Sequence, residues 1–74
     1  MATSQINIKL AKRIKSLRTK KGLTQLELSE LSGLDYKHVQ NLESRKPDDI
    51  CLSSIEKLAK AFKVPAWKLL QFKD

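Results

Sequence analysis

Apolar residues recur every three or four positions along most of this chain, and no other feature limits its fold as strongly. Near the N-terminus, Ile6, Leu10, Ile14 and Leu17 fall on one face of a helix. No segment shows the strict apolar–polar alternation of a half-buried strand. The pattern therefore predicts an all-α fold. Since globular domains usually contain about 100–150 residues, the chain of 74 residues has room for one small domain.

Capping residues and helix breakers divide this pattern into five predicted helices. Thr24 and Glu27 have the spacing of a capping box, in which the hydroxyl and the carboxylate each bind a free backbone N–H. Gly22 and Gly33 are expected to end the helices before them. We expect a single domain with helices at about residues 7–21, 24–31, 35–44, 52–62 and 66–72.

The same spacing predicts which leucines form the core. Leu28 and Leu31 are expected to face inward from the second helix. Leu52 begins the inward stripe of the fourth helix, and the fifth is expected to add Leu69 and Leu70.

The composition argues against an enzyme and against a metal site. One Cys (Cys51) and one His (His38) cannot form a disulfide or a zinc site, nor a catalytic set with the scattered carboxylates. We expect no metal, no cofactor and no small-molecule effector. No apolar run approaches the roughly 20 residues of a membrane span. A free thiol and an N-terminus unlike a signal peptide predict a cytoplasmic protein.

Charge is concentrated at one end of the chain. The formal net charge is +7, and residues 1–22 contain seven basic residues and no acidic one. Such a bias indicates a polyanionic partner such as nucleic acid. A set of solvated lysines that keeps the protein soluble explains the charge equally well.

The second and third predicted helices have the spacing of a DNA-binding helix–turn–helix, with Gly33 in the short turn. The second helix of such a pair fits the major groove of double-stranded DNA. Here its outward face carries Tyr36, Lys37, Gln40 and Asn41, without Asp or Glu. Lys donates to guanine, while Asn and Gln form paired contacts with adenine. An ordinary polar helix face remains the alternative.

Several short motifs together resemble the phage-repressor/Cro-like helix–turn–helix family. They are Gly22-Leu23-Thr24-Gln25, Leu28-Ser29, Ser32-Gly33-Leu34, Val39-x-x-Leu42-Glu43, and the apolar run from Leu52 to Val64. The resemblance covers about residues 8–71. It implies a compact five-helix bundle of the lambda-repressor type, which binds a two-fold-symmetric operator as a homodimer.

The resemblance also implies roles for individual residues. Tyr36, Lys37 and Asn41 correspond to base-reading positions, and the helical wheel adds Gln40. The resemblance places contacts to the DNA backbone at Gln25, Ser44, Arg45 and Lys46. Apart from the resemblance, we expect Thr24 and His38 to contact the backbone as well. Arg45 stands where the family usually has a glycine, so the turn after the third helix is expected to be built differently. Asp48-Asp49 would repel phosphate, and we expect them to point away from DNA or to cap the fourth helix.

Two pairs of residues are predicted to form structural contacts instead of contacts with DNA. Arg18 and Glu43 each lean toward the core, which predicts a buried ion pair that orients the third helix; two independent surface charges are the alternative. Trp67 lies outside the predicted inward arc of the fifth helix. With Phe72 it is expected to form a dimer contact, unless Trp67 folds back over the fourth helix.

These observations predict a DNA-binding transcriptional regulator, more specifically a repressor, because occupying a promoter is enough to block it. A restriction–modification controller and an antitoxin-type regulator fit equally well. The alternative from another class is a protein-interaction module that kept the fold without DNA binding, supported by Asp48-Asp49 and Trp67. A basic domain that binds RNA or membranes non-specifically has only the charge in its favour.

Overall fold

The computed structural model describes residues 5–72, and every regular element in that range is a helix. The helices are α1 (Gln5–Lys20), α2 (Gln25–Ser32), α3 (Tyr36–Leu42), α4 (Leu52–Phe62) and α5 (Ala66–Leu69). α2 packs against α3 and α4, while α5 packs against α4 and α1. The predicted all-α fold of five helices is confirmed. Within residues 5–72, no helix has both the length and the apolarity needed to cross a bilayer.

Short sequence motifs determine the turns at the two ends of α2. The Thr24 hydroxyl accepts from the Glu27 N–H at 3.0 Å, and the Glu27 carboxylate accepts from the Thr24 N–H at 2.8 Å, so the capping box is present. Gly33 ends α2 in the left-handed region, with φ 79°. Its N–H donates to the Ser29 carbonyl at 2.9 Å. The chain therefore turns within three residues, and α3 begins immediately beside α2.

All five helices contribute to one core. Its buried members are Leu10, Ile14, Leu28, Val39, Leu42, Ile55, Leu58, Ala59, Phe62 and Leu69. α3 is anchored through Val39 and Leu42, which are 0% and 2% exposed. The opposite face of that short helix is consequently free for contacts outside the domain.

Leu31 does not face the core, contrary to the prediction. Its side chain is 60% exposed, and the buried face of α2 consists of Leu28 with Ser29 and Ser32. The Ser29 hydroxyl donates to the Leu26 carbonyl at 2.7 Å, so its burial leaves no unpaired donor. We infer that α2, held between α3 and α4, is buried through small side chains because large ones would separate the helices.

The other exposed apolar residues lie near helix ends. Leu52 is the first residue of α4 and is 81% exposed, so the inward stripe begins one turn later, at Ile55. Leu70 follows the last residue of α5 and is 39% exposed. Ile6 is 54% exposed in the first turn of α1. α1 is already helical at Gln5, the first described residue, so it extends beyond the predicted start at residue 7.

α5 ends at Leu69, three residues before the predicted end at residue 72. The Arg13 guanidinium donates to the Lys68 carbonyl from Nε and Nη2, at 3.3 and 3.2 Å. The Gln71 N–H reaches the same carbonyl at 3.3 Å. A continuing α-helix would need this carbonyl for the N–H of Phe72. Arg13 therefore ends α5 and fixes it to α1.

Lys63 is the one non-glycine residue with a positive φ among residues 5–72, at φ 59° and ψ 41°. It ends α4 in a left-handed turn, where the Val64 N–H donates to the Ala59 carbonyl at 3.0 Å. A side chain is disfavoured in this conformation, whereas glycine adopts it freely.

We therefore expect Lys63→Gly to raise the free energy of unfolding by about 0.5–1 kcal/mol, because it removes the backbone strain. Lys60→Gly is the matched control inside α4 and is expected to lower it by about 1 kcal/mol. Urea denaturation measures both. A loss of stability in Lys63→Gly equal to that of the control would contradict the prediction.

Candidate nucleic-acid interface

α3 presents a polar face to solvent. Tyr36, Lys37 and Gln40 are exposed, and Asn41 is half-buried at the edge of this face. The Tyr36 side chain is 44% exposed. The face contains no carboxylate, so every charged group on it is positive. The four side chains predicted to read bases thus lie together on the outer side of α3.

A buried ion pair fixes the end of α3. Arg18 Nε donates to Glu43 Oε2 at 2.7 Å and Nη2 donates to Oε1 at 2.9 Å, in a two-point contact. The Arg18 and Glu43 side chains are 12% and 2% exposed. The hydrogen bond with Glu43 raises the pKa of Arg18 above its ordinary value, against the opposing effect of burial. The ion pair predicted from the sequence is therefore present.

Two further groups extend this pair into a network. Arg18 Nη1 donates to the Leu23 carbonyl at 2.7 Å, and Gln25 Nε2 donates to Glu43 Oε1 at 3.1 Å. The network joins α1, the turn after it, the first turn of α2 and the residue that follows α3. Gln25 uses only one of its two amide hydrogens here, so the second is available to a phosphate oxygen.

α3 ends at Leu42, two residues before the predicted end at residue 44. The Asn41 carbonyl accepts from both the N–H and the hydroxyl of Ser44, at 3.0 and 2.7 Å. A continuing helix would need that carbonyl for Arg45. The positive-φ residues of the described chain are Gly22, Gly33 and Lys63, so Arg45 does not reproduce a left-handed glycine. The turn after α3 is therefore built without a left-handed residue.

The exit loop, residues 43–50, folds back on α3 and α1. The Asp48 N–H donates to Asn41 Oδ1 at 2.9 Å. Asp49 Oδ1 accepts from Asn7 Nδ2 at 2.6 Å. Cys51 occupies the N-cap position of α4, so neither aspartate caps that helix. The Asp49 carboxylate is turned toward α1, away from the outer face of α3.

This loop contact engages the side-chain amide of Asn41. A paired contact with adenine needs both the amide oxygen and the amide nitrogen on the base edge. The oxygen is directed to the backbone of Asp48, which leaves the –NH₂ group as the outward donor.

The predicted backbone contacts lie at the two ends of the helix pair. Thr24 and Gln25 begin α2, and exposed Arg45 and Lys46 follow α3. Half-buried His38 lies on the flank of α3.

Ser44 is also exposed, but its hydroxyl hydrogen is already donated to Asn41. It could donate to a phosphate only after breaking that bond.

Trp67 and Phe72 line separate depressions. Trp67 is 62% exposed, so it does not fold over α4, and it borders an apolar groove with Leu52, Ile55 and Leu70. Phe72 is half-buried against the core and borders a different groove beside α1. Leu52 and Leu70 lie beside Trp67 at this surface, although their spacing predicts that both belong to the core.

Within residues 5–72, no three His, Cys, Asp or Glu side chains lie close enough together to hold an ion. Cys51 is a free, exposed thiol.

A family model described as helix-turn-helix matches residues 14–66. This chain belongs to the helix–turn–helix family. The membership predicted from the sequence motifs is thereby confirmed, and Gly33, Val39, Leu42 and the Arg18–Glu43 pair all lie inside the matched range.

Two proteins similar to this helix–turn–helix chain are a hypothetical transcription factor and a restriction-modification controller. A hypothetical transcription factor of Neisseria meningitidis serogroup B is 44% identical over 61 residues, which is 82% of this chain and 57% of that protein. The chain thus spans little more than half the length of this curated relative. The restriction-modification controller C.AhdI from Aeromonas hydrophila has a TM-score of 0.80 at 40% identity, covering 85% of this chain and 94% of its own.

A third similar structure is the controller protein C.Esp1396I bound to a 25 base pair operator site. Its TM-score is 0.80 at 27% identity, and the match covers 90% of this chain and 91% of that chain.

We expect Glu43→Ala to lower the free energy of unfolding by about 3–5 kcal/mol, because it strands the part-buried guanidinium of Arg18. A double-mutant cycle with Arg18→Met and Glu43→Leu should give a coupling above 1 kcal/mol, whereas an exposed pair is worth about 0–1 kcal/mol. Denaturation with urea measures the cycle.

Gln25→Ala is the control, since it keeps both charges and removes one hydrogen bond worth about 1 kcal/mol. Glu43→Gln is the milder variant if Glu43→Ala does not fold. A coupling near zero would show that the two charges act independently.

Proposed function

We propose that this protein is a non-enzymatic transcriptional regulator that binds double-stranded DNA sequence-specifically and acts as a repressor. The supporting observation is the acid-free polar face of α3, which is exposed on a helix fixed from behind. Val39 and Leu42 anchor its inner side, and the Arg18–Glu43 pair holds its end. A helix held so firmly can enter the major groove in one orientation.

Similar proteins support this proposal and favour one form of it. C.Esp1396I is a restriction-modification controller whose structure is known on an operator site, and C.AhdI is a controller of the same kind. We favour a restriction–modification controller over an antitoxin-type regulator on this ground. A regulator of this kind must reach the DNA. We therefore propose the cytoplasmic location that the sequence predicts.

In this proposal, Tyr36, Lys37, Gln40 and Asn41 face the base edges. Asn41 acts as a donor, since the Asp48 N–H occupies its oxygen. The second amide hydrogen of Gln25 binds a phosphate, while Glu43 holds the first. The other backbone contacts are Thr24, His38, Arg45 and Lys46. Ser44 is left out because its hydroxyl hydrogen is used within the turn.

Selection of bound duplexes from a random pool tests the function. We expect a two-fold-symmetric consensus with half-sites about 34–36 Å apart, which is one turn of DNA. A pool that stays random after selection would contradict specific DNA binding. It would favour a protein-interaction module.

The Asn41→Asp variant tests the base-reading geometry in the same selection. The carboxylate can still accept from the Asp48 N–H, but its outward group becomes an acceptor. We expect one position of each half-site to change from a base with an acceptor edge to cytosine, whose N4 donates.

Gln40→Glu is the control for the added negative charge, because Gln40 is exposed on the same helix. It should weaken binding without altering the position read by Asn41. An adenine at that position in the native consensus, lost in Asn41→Ala, would contradict donor-only reading.

A homodimer is part of the proposal, because two recognition helices must be held one DNA turn apart. The groove between α4 and α5 has the required apolar character. Leu52 and Trp67 are 81% and 62% exposed beside Leu70 and buried Ile55. A second copy placed across a two-fold axis would bury the same groove on both protomers.

We expect Trp67→Ala to shift the equilibrium toward monomer and to weaken binding to the selected duplex, because large aromatic residues dominate interface energies. Leu31→Ala is the control, since Leu31 is 60% exposed and outside this groove. Sedimentation over a concentration series, with circular dichroism to check folding, measures both. Equal dimer strength in Trp67→Ala and the native protein would place the interface elsewhere.

A further inference from the structure

The helix–turn–helix segment of this protein is acidic, whereas the proposed partner is a polyanion. Residues 23–44 contain one basic and four acidic residues, a net charge of −3, while residues 1–22 contain seven basic residues and no acidic one. Contacts between cations and phosphates supply nearly all non-specific affinity for DNA and a large share of specific affinity. The cations that hold the DNA backbone must therefore come mainly from outside α2 and α3.

A cleft between α1 and the exit loop shows which cations of α1 lie near the end of the recognition helix. Its volume is about 270 Å³. One side is a single face of α1, made of residues three, four and seven positions apart: Ile8, Ala11, Lys12 and Lys15. The other side follows α3 directly and consists of Glu43, Ser44 and Arg45. We name it the α1–loop cleft.

The charge of the α1–loop cleft is positive. Lys12, Lys15 and Arg45 are exposed. The one carboxylate of the cleft belongs to Glu43, which is 2% exposed and accepts three hydrogen bonds within the ion-pair network, so its charge is compensated inside the domain. Among residues 5–72, no hydrogen bond or ion pair engages the ammonium group of Lys12 or Lys15. Three cations are thus available to an anion at this place.

The cleft adjoins the surface that we propose for the DNA backbone. Arg45, which lines it, is one of the proposed backbone contacts. Lys15 lies about 4.5 Å from Arg18 along the axis of α1, and Arg18 bonds to Glu43 at the end of α3. A DNA strand that reaches Arg45 therefore passes the lysines on the facing side of α1.

We propose that the α1–loop cleft binds phosphates of the DNA backbone, with Lys12 and Lys15 as additional contacts beside Arg45. The two lysines are about 4.5 Å apart along the axis of α1. One DNA strand carries a phosphate about every 3.4 Å of the duplex axis, so the lysines can neutralise one phosphate or two adjacent ones. This inference rests on the proposed DNA binding and extends it from the helix–turn–helix to α1. The contact is independent of sequence, because phosphates carry no base information.

The salt dependence of duplex binding tests the cleft. The logarithm of the association constant falls with the logarithm of the salt concentration, with a slope of about 0.9 for each neutralised phosphate. We expect Lys12→Gln/Lys15→Gln to reduce this slope by about 1.8, both on the selected duplex and on a duplex of unrelated sequence. The consensus selected from a random pool should not change.

Lys57→Gln/Lys63→Gln is the matched control, since it removes the same charge at exposed positions outside the cleft. It should leave the slope unchanged, because the slope reports phosphates in contact. Circular dichroism checks that both double variants are folded.

Duplexes in which a single phosphate is replaced by an uncharged methylphosphonate locate the contact. The native protein should lose affinity when the phosphates beside the one bound by Arg45 are replaced, with Arg45→Gln marking that reference position. Lys12→Gln/Lys15→Gln should no longer respond at those neighbouring phosphates. The native slope in Lys12→Gln/Lys15→Gln, equal slopes in the two double variants, or an unchanged response at every phosphate would overturn the proposal.

Failure of the cleft is distinguishable from failure of the proposed function. Equal affinity of the native protein for the two duplexes would contradict sequence-specific binding, while the slope on the unrelated duplex would still measure the cleft. A selected consensus together with an unchanged slope would overturn the cleft and leave the proposed function in place. A native protein that binds neither duplex would contradict both.

Discussion

The orientation of α3 depends on the Arg18–Glu43 ion pair. The Glu43 side chain is almost completely removed from water, at 2% exposure, and it accepts three hydrogen bonds, two from Arg18 and one from Gln25. Removing both charges from water offsets much of their attraction. The pair therefore matters more for the position of α3 than for net stability, because it connects the end of α3 to α1 and to the start of α2.

Signals confined to a few neighbouring residues were predictable from the sequence. The Thr24–Glu27 capping box, the left-handed Gly33 and the inward lean of Glu43 each follow from local spacing, and all are present. The C-terminal end of α5 and the exposure of Leu31 were not predictable. They depend on partners distant in sequence, such as Arg13 at the carbonyl of Lys68, or on how closely helices approach.

The geometry of the candidate site was also predictable only where it depends on neighbouring residues. Periodicity placed Tyr36, Lys37 and Gln40 on the outer face of α3, where they lie. The amide orientation of Asn41 depends on the Asp48 N–H, seven residues along the chain, and no helical wheel contains that contact.

The bond between the exit loop and Asn41 has an evolutionary consequence. Its donor is the main chain of Asp48, not the side chain, so any residue with a backbone N–H can supply it. Position 48 can therefore drift through almost every amino acid without disturbing the amide of Asn41, and only proline, which lacks that N–H, is barred. The orientation of the Asn41 amide is thus insulated from side-chain changes at position 48.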